Sequence, residues 1–150
     1  MLLPSLILFN CNGLAQKKEQ VNFNVTRSDK EWKSILTEKE YYVMRKEGTE
    51  PAYSSKFNFE KASGIYICKG CDIPLFKSNH KYDSGSGWPS FYQTIDKNVS
   101  YSVDYKIGYA RTEEHCSNCG SHLGHVFNDG PKPTGKRHCI NGIALKFVPN

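Results

Sequence analysis

The stretch YSVDYKIGYAR, residues 101–111, decides the fold. Tyr101, Val103 and Tyr105 alternate with Ser102 and Asp104, a period of two that suits a strand with one buried face. Ile107 to Arg111 reads as a second strand. Outward in both directions the texture repeats: Ile65-Tyr-Ile67 upstream and Ile143-Ala-Leu-Lys-Phe147 downstream are short β-branched and aromatic runs. From Pro51 onward these runs are set between clusters of Gly, Pro, Ser and Asn, which predicts a mainly β fold, a small antiparallel sheet or barrel. Lys77 to Asn98 and Gly120 to Arg137 read as loops, and loops on a rigid sheet are where chemistry concentrates.

The front of the chain is different. Ser28-Asp-Lys-Glu31 and Thr37-Glu-Lys-Glu40 are both capping boxes, in which the hydroxyl accepts from a free amide and the Glu reaches back to the cap. Trp32, Ile35 and Leu36 follow the first, Tyr41 to Met44 the second, and Gly48 offers a stop, so two short helices are expected between residues 28 and 47. Residues 16–27 are polar and aperiodic and read as a linker. Ahead of them, Leu2 to Phe9 is an apolar run far short of the roughly 20 residues a spanning helix needs. With Ala15 as a small-residue cleavage point, residues 1–15 read as a signal segment that lacks a basic n-region, which predicts export to the periplasm or cell envelope. The competing readings are an acylated Cys11 or an uncleaved tail, the latter leaving the protein in the cytoplasm.

The 150 residues fit one domain, here 28–150, and 38% hydrophobic with 13% aromatic content is enough for a modest core. Twenty Lys and Arg against fifteen Asp and Glu give a net charge of +5 with no run of five like charges, which argues against a nucleic-acid partner. A monomer with no integral membrane span is expected.

The six cysteines sort by spacing. Cys68-Lys-Gly-Cys71 and Cys116-Ser-Asn-Cys119 are two knuckles, each able to aim two thiolates at one point, which suits one tetrahedral zinc. Disulfides, or a redox-active CxxC, are the alternatives; neither pair opens a helix in a βαβ setting, which disfavours the second. A four-Cys shell leaves no open position for water, so such a zinc would be structural. With Cys11 in the leader, Cys139 remains. Arg137 and His138 precede it, and a cationic setting is expected to pull its thiol below the free value of roughly 8.5. Asn141, two residues on, would share its face on a strand.

Two further stretches carry chemistry. His122-Leu-Gly-His125 supplies two imidazoles, side chains suited to donating a proton near neutral pH, with Phe127 and Asp129 just beyond; Asp129 is expected to orient one ring. Gly85-Ser-Gly-Trp-Pro-Ser-Phe91 holds Trp88 on a stiffened loop, where its indole can line a pocket for a small apolar group.

Together GWPSF (87–91), SHLGHVF (121–127), DGPKPTGKRHCIN (129–141), the two knuckles and LTEKEYYVMRKEGTEPAYS (36–54) resemble the peptide-methionine (R)-S-oxide reductases, the B type of methionine sulfoxide reductase. The resemblance runs from about Ser28 to the C-terminus and implies a barrel-like pair of antiparallel sheets with short N-terminal helices. It implies thiol-dependent reduction of methionine (R)-sulfoxide in oxidised proteins, through a sulfenic acid. In that scheme Cys139 attacks sulfur, and His122, His125 and Asn141 hold and protonate the oxygen. Trp88 and Phe127 contact the substrate, and Arg137 and Asp129 support the geometry. Cys68, Cys71, Cys116 and Cys119 hold the zinc. Many relatives carry a resolving Cys where this chain has Ser86, so reduction by a thioredoxin-like or small-thiol donor is expected. A non-catalytic zinc module and a CxxC dithiol oxidoreductase are the competing functions.

Overall fold

A computed structural model describes residues 22–150; the expected signal segment, Cys11 and the first part of the expected linker lie outside that range. Two helices, α1 (Asp29–Ile35) and α2 (Glu38–Lys46), begin at the expected caps, and both capping boxes are complete. α1 buries Trp32, α2 buries Tyr41, Val43 and Met44. Order begins ahead of Ser28: Val25 donates from its backbone to Asn118, and the Arg27 guanidinium lies 4.7 Å from the Trp32 ring, with Arg45 at 4.7 Å as a second cation over the same ring. The last residues of the expected linker are thus packed onto the second Cys knuckle.

Nine strands follow: β1 (Gly64–Cys68), β2 (Pro74–Lys77), β3 (Lys81–Tyr82), β4 (Ser90–Phe91), β5 (Val99–Asp104), β6 (Arg111–Cys116), β7 (His122–Phe127), β8 (Arg137–Ile140) and β9 (Leu145–Pro149). They form a three-stranded sheet in the order β2-β1-β9 and a six-stranded sheet in the order β3-β4-β8-β7-β6-β5, with antiparallel pairing throughout. The mainly β expectation holds, as a pair of open sheets with no closed barrel. Between the sheets Phe76 stacks on Phe91 at 4.3 Å, Tyr66 meets Phe91 edge-on at 5.1 Å, and Leu75, Leu123 and Ile140 are fully buried.

Several boundaries differ from the sequence reading. Of the strand expected over Ile107 to Arg111, only Arg111 is strand, as the first residue of β6; Ile107 to Ala110 lie in the β5–β6 turn, because Gly108 takes φ +87° and its amide closes back on Tyr105. The alternation of β5 does not bury a face: Tyr101 and Val103 are 50% and 61% exposed, since β5 is the sheet's edge and only Val99 reaches the core. The two expected loops contain β3, β4 and β7. Strand β9 starts at Leu145, after a 3-10 turn over Gly142–Ala144.

Candidate active site

The two knuckles meet. Cys68 ends β1 and Cys116 ends β6, and each turn is closed by a backbone bond to the first cysteine's carbonyl, from Asp72 and from Gly120. The Sγ atoms of Cys68 and Cys119 are 3.7 Å apart, those of Cys71 and Cys116 3.5 Å, and all four sulfurs lie within 4.8 Å of one another. Tetrahedral ligands at about 2.3 Å from a metal sit about 3.8 Å apart, a spacing that the two close sulfur pairs already match. Mutual hydrogen bonds push the Cys68 and Cys116 thiols up and hold those of Cys71 and Cys119 down. Four sulfurs competing for protons in a buried cluster are what a divalent cation resolves.

Cys139 lies elsewhere, on β8 between two neighbours. Its register partners are Ser90 on β4 and His125 on β7. The β7–β8 approach is tight: a Cβ on Gly124 would stand 2.0 Å from the Cys139 carbonyl oxygen, so only glycine fits there. The Cys139 thiol is half-buried, with its Sγ 3.8 Å from Ser86 Oγ. Burial pushes this thiol up, against the pull of Ser86 and Arg137. The expected depression is therefore overturned, and the reason is strand geometry. Alternation puts Arg137 and Cys139 on one face and turns His138 to the other, where its Nδ1 lies 2.6 Å from the buried Glu114 carboxylate. One of the two expected cations thus faces away from the sulfur.

Residues three apart on a regular strand point to opposite faces, yet the rings of His122 and His125 are 5.5 Å apart, edge to face. The pairing of β6 with β7 shifts between Glu114 and His115: Glu114 opposes Gly124, whereas His115 opposes His122, and Leu123 is passed over. That bulge reverses the phase and brings both imidazoles together. Each ring is held by a carboxylate. His122 Nδ1 lies 2.6 Å from Glu113 Oε1, both buried, and His125 Nε2 lies 2.8 Å from Asp104 Oδ2. Burial works to raise Glu113, but the bonds from His115 and His122 hold it well below the usual range. Asp104 is held down at about 2 by the Lys106 amide, with His125 and Arg111 adding to that against some desolvation. Burial in turn pulls His125 below its ordinary value, in spite of Asp104.

Asp129 does not reach either ring. Both its oxygens take the Arg137 fork, Nε and Nη2 each at 2.9 Å, and the guanidinium lies 4.4 Å from the Phe127 ring. The ring-orienting carboxylates are Glu113 and Asp104, whose β5 and β6 positions carry no local signal that they face β7. Glu50 likewise carries no local signal in the sequence. It is buried, its carboxylate accepts from the amides of Gly142 and Ile143 just after β8, and its carbonyl accepts from the Trp88 indole at 3.0 Å. The Asn141 amide is likewise engaged by the backbone: Oδ1 accepts from Glu50 N at 3.0 Å and Nδ2 donates to Leu123 O at 3.0 Å. Glu50 and Asn141 thus tie the end of β8, the Trp88 loop and β7 together.

Residues 36–149 match the family model described as the SelR domain. The chain is 50% identical over 128 residues to a peptide methionine sulfoxide reductase MsrB of Leptospira interrogans, covering 85% of this chain and 98% of that one. It is 50% identical over 127 residues to the chloroplastic peptide methionine sulfoxide reductase B1 of rice, covering 84% of this chain and 59% of that one. It is 45% identical over 133 residues to the mitochondrial methionine-R-sulfoxide reductase B3 of mouse, covering 88% of this chain and 53% of that one. The chain thus spans nearly all of the bacterial relative and little more than half of the two organellar ones.

Proposed function

The chain belongs to the SelR-domain family, the B-type peptide methionine sulfoxide reductases, and is an oxidoreductase acting on methionine (R)-sulfoxide; we propose that Cys139 is its nucleophile and the His122–His125 pair its acid. The observation that carries the assignment is the convergence on one sheet of a half-buried sulfur and two imidazoles, each ring braced by its own carboxylate.

A sulfoxide sulfur is electrophilic, but its oxygen leaves only when protonated. The Cys139 sulfur supplies two electrons to the substrate sulfur, while a ring nitrogen not engaged by a carboxylate, Nε2 of His122 or Nδ1 of His125, delivers the proton to oxygen. The S–O bond to methionine breaks, methionine departs as a thioether, and the oxygen ends on Cys139 as a sulfenic acid. The thiol proton restores the histidine, so the step is balanced. Two equivalents of an external thiol then return Cys139: the first displaces water and forms a mixed disulfide, the second releases the thiol and an external disulfide. Ser86 stands beside Cys139 where many relatives carry the resolving thiol, which supports a thioredoxin-like or small-thiol donor. Trp88, fixed through its indole N–H, packs on the substrate methyl group; Arg137, Asp129 and Phe127 form the rim, and Asn141 holds the end of β8.

The four-sulfur cluster fits one zinc, held by Cys68, Cys71, Cys116 and Cys119; when bound it supplies structural cross-linking and no catalytic water. Export directed by residues 1–15 completes the proposal; among the described residues no helix is long and apolar enough to cross a membrane.

The test is turnover of the two sulfoxide epimers with dithiothreitol. The R epimer is reduced and the S epimer is not, and Cys139→Ser removes the activity. Equal turnover by wild type and Cys139→Ser would eliminate the nucleophile. A Cys11–Cys139 disulfide trapped during turnover would overturn direct external reduction.

A further inference from the structure

Three serine hydroxyls form a file leading away from Cys139. Ser86 Oγ lies 3.8 Å from Cys139 Sγ, Ser84 Oγ 2.8 Å from Ser86 Oγ, Ser90 Oγ 2.7 Å from Ser84 Oγ, and Ser90 ends the file 3.1 Å from the Trp88 carbonyl. Each hydroxyl owns one proton, and a carbonyl only accepts. Ser90 must therefore donate to Trp88. Its proton is spent, so Ser84 donates to Ser90; Ser84's proton is then spent, so Ser86 donates to Ser84. Nothing remains at Ser86 to donate to sulfur. The only arrangement that satisfies every link has the Cys139 S–H donating to Ser86.

We infer that Ser84, Ser86 and Ser90 are a directional hydroxyl chain that holds Cys139 as a thiol at rest, and that Ser86 is a positioning residue that turns to donate to the sulfur only when the chain reverses. Reversal moves no proton between atoms. Ser86 rotates toward sulfur, Ser84 toward Ser86 and Ser90 toward Ser84, and the Trp88 carbonyl gives up its Ser90 donor. An O–H bond to a thiolate is stronger than an S–H bond to a hydroxyl, so the reversed chain favours the ion, while the Trp88 anchor opposes reversal. The charged and titratable groups around the sulfur are Arg137 on its own strand, His125 across on β7, Tyr82 on β3 and Glu114 from β6, and the serine variants leave all four in place.

The inference rests on Cys139 as the reacting sulfur, but its test reads ionisation without turnover. The rate of Cys139 alkylation by iodoacetamide is followed against pH in the metal-loaded full chain, with peptide mass spectrometry separating Cys139 from the other cysteines. Ser86→Ala removes the hydroxyl that lies within hydrogen-bond reach of the sulfur, and the midpoint rises by about one pH unit. Ser90→Ala frees Ser84 to donate to Ser86, which leaves Ser86 with sulfur as its partner, and the midpoint falls. Ser84→Ala frees Ser86 directly and also lowers it. Opposite signs for Ser86→Ala and the other two support the chain. Shifts of one sign in all three, or no shift, overturn it. Circular dichroism confirms that each variant is folded, and if one fails to fold the sign contrast is read from the remaining Ser84 or Ser90 variant. Retained turnover in Cys139→Ser, by contrast, would sink the catalytic assignment alone.

Discussion

At the scale of the residue, each ring of the candidate site is paired with a fixed anion. In the proposed mechanism Glu113 and Asp104 set which nitrogen of His122 and His125 faces the substrate, so removing one charge weakens the hold on a ring that is otherwise intact. His122→Asn should lower turnover by about 10²–10⁴-fold, and Glu113→Gln, which leaves the ring in place, by a smaller factor; steady-state kinetics on the R epimer checks both. Asp104 also links the site to acid stability. Its folded value of about 2 lies below the ordinary 3.8, so its contribution is present above about pH 4 and is lost as pH falls toward 2. Urea unfolding of Asp104→Asn between pH 2 and pH 5 should therefore show a flatter acid limb than wild type. Cys139, the knuckle cysteines, the two histidines, Arg137 and Trp88 were all visible as residue types in telling neighbourhoods. Glu113, Asp104 and Glu50 were not, because a carboxylate becomes functional only through the partner it meets across strands or loops.

At the scale of the element, strands β7 and β8 carry the proposed acid and nucleophile, and their close approach depends on one missing side chain. Gly124→Ala would drive a Cβ into the Cys139 carbonyl, and the backbone must shift to relieve it. Overpacking of this kind costs about 1–3 kcal/mol, which calorimetry should register as a Tm lower by several degrees, with turnover reduced because Cys139 moves with the strand. The turn after β8 has a comparable dependence on Glu50. Glu50→Ala leaves the Gly142 and Ile143 amides without their acceptor, at a cost of about 1–3 kcal/mol, and KM for the sulfoxide should rise as the Trp88 loop loosens. The helices were legible at the level of caps because the determinants are local: Ser28 with Glu31 and Thr37 with Glu40 close within one turn. β7 was not. HLGHVF lacks alternation, because its bulge breaks the period and its first three residues are all buried.

At the scale of the whole molecule, the two sheets are joined by sulfur. β1 of the smaller sheet ends in Cys68 and β6 of the larger in Cys116, so a metal bound by the cluster cross-links them far from the sequence neighbourhood of either strand. Stripping it with a strong chelator should lower Tm and abolish near-UV circular dichroism and reductase activity in one transition, since binding free energy at such a site is folding free energy. Activity that survived complete metal removal in a folded chain would refute a structural role. Elemental analysis of the purified protein should find about one zinc per chain.

What the sequence by itself determined were the features whose physics is local or compositional: capped helices, β-rich texture, paired thiol knuckles, a lone cysteine outside them and a motif set dense enough to name a family. Tertiary structure alone decided how those parts act on one another. It turned His138 away from Cys139, brought His122 and His125 to one face through a bulge, gave Asp129 to Arg137, and supplied Glu113 and Asp104 as the ring anchors. The reason is that face, burial and partner are set by cross-strand register, a property of strands distant in sequence, where a shift of one residue exchanges the two sides of a sheet.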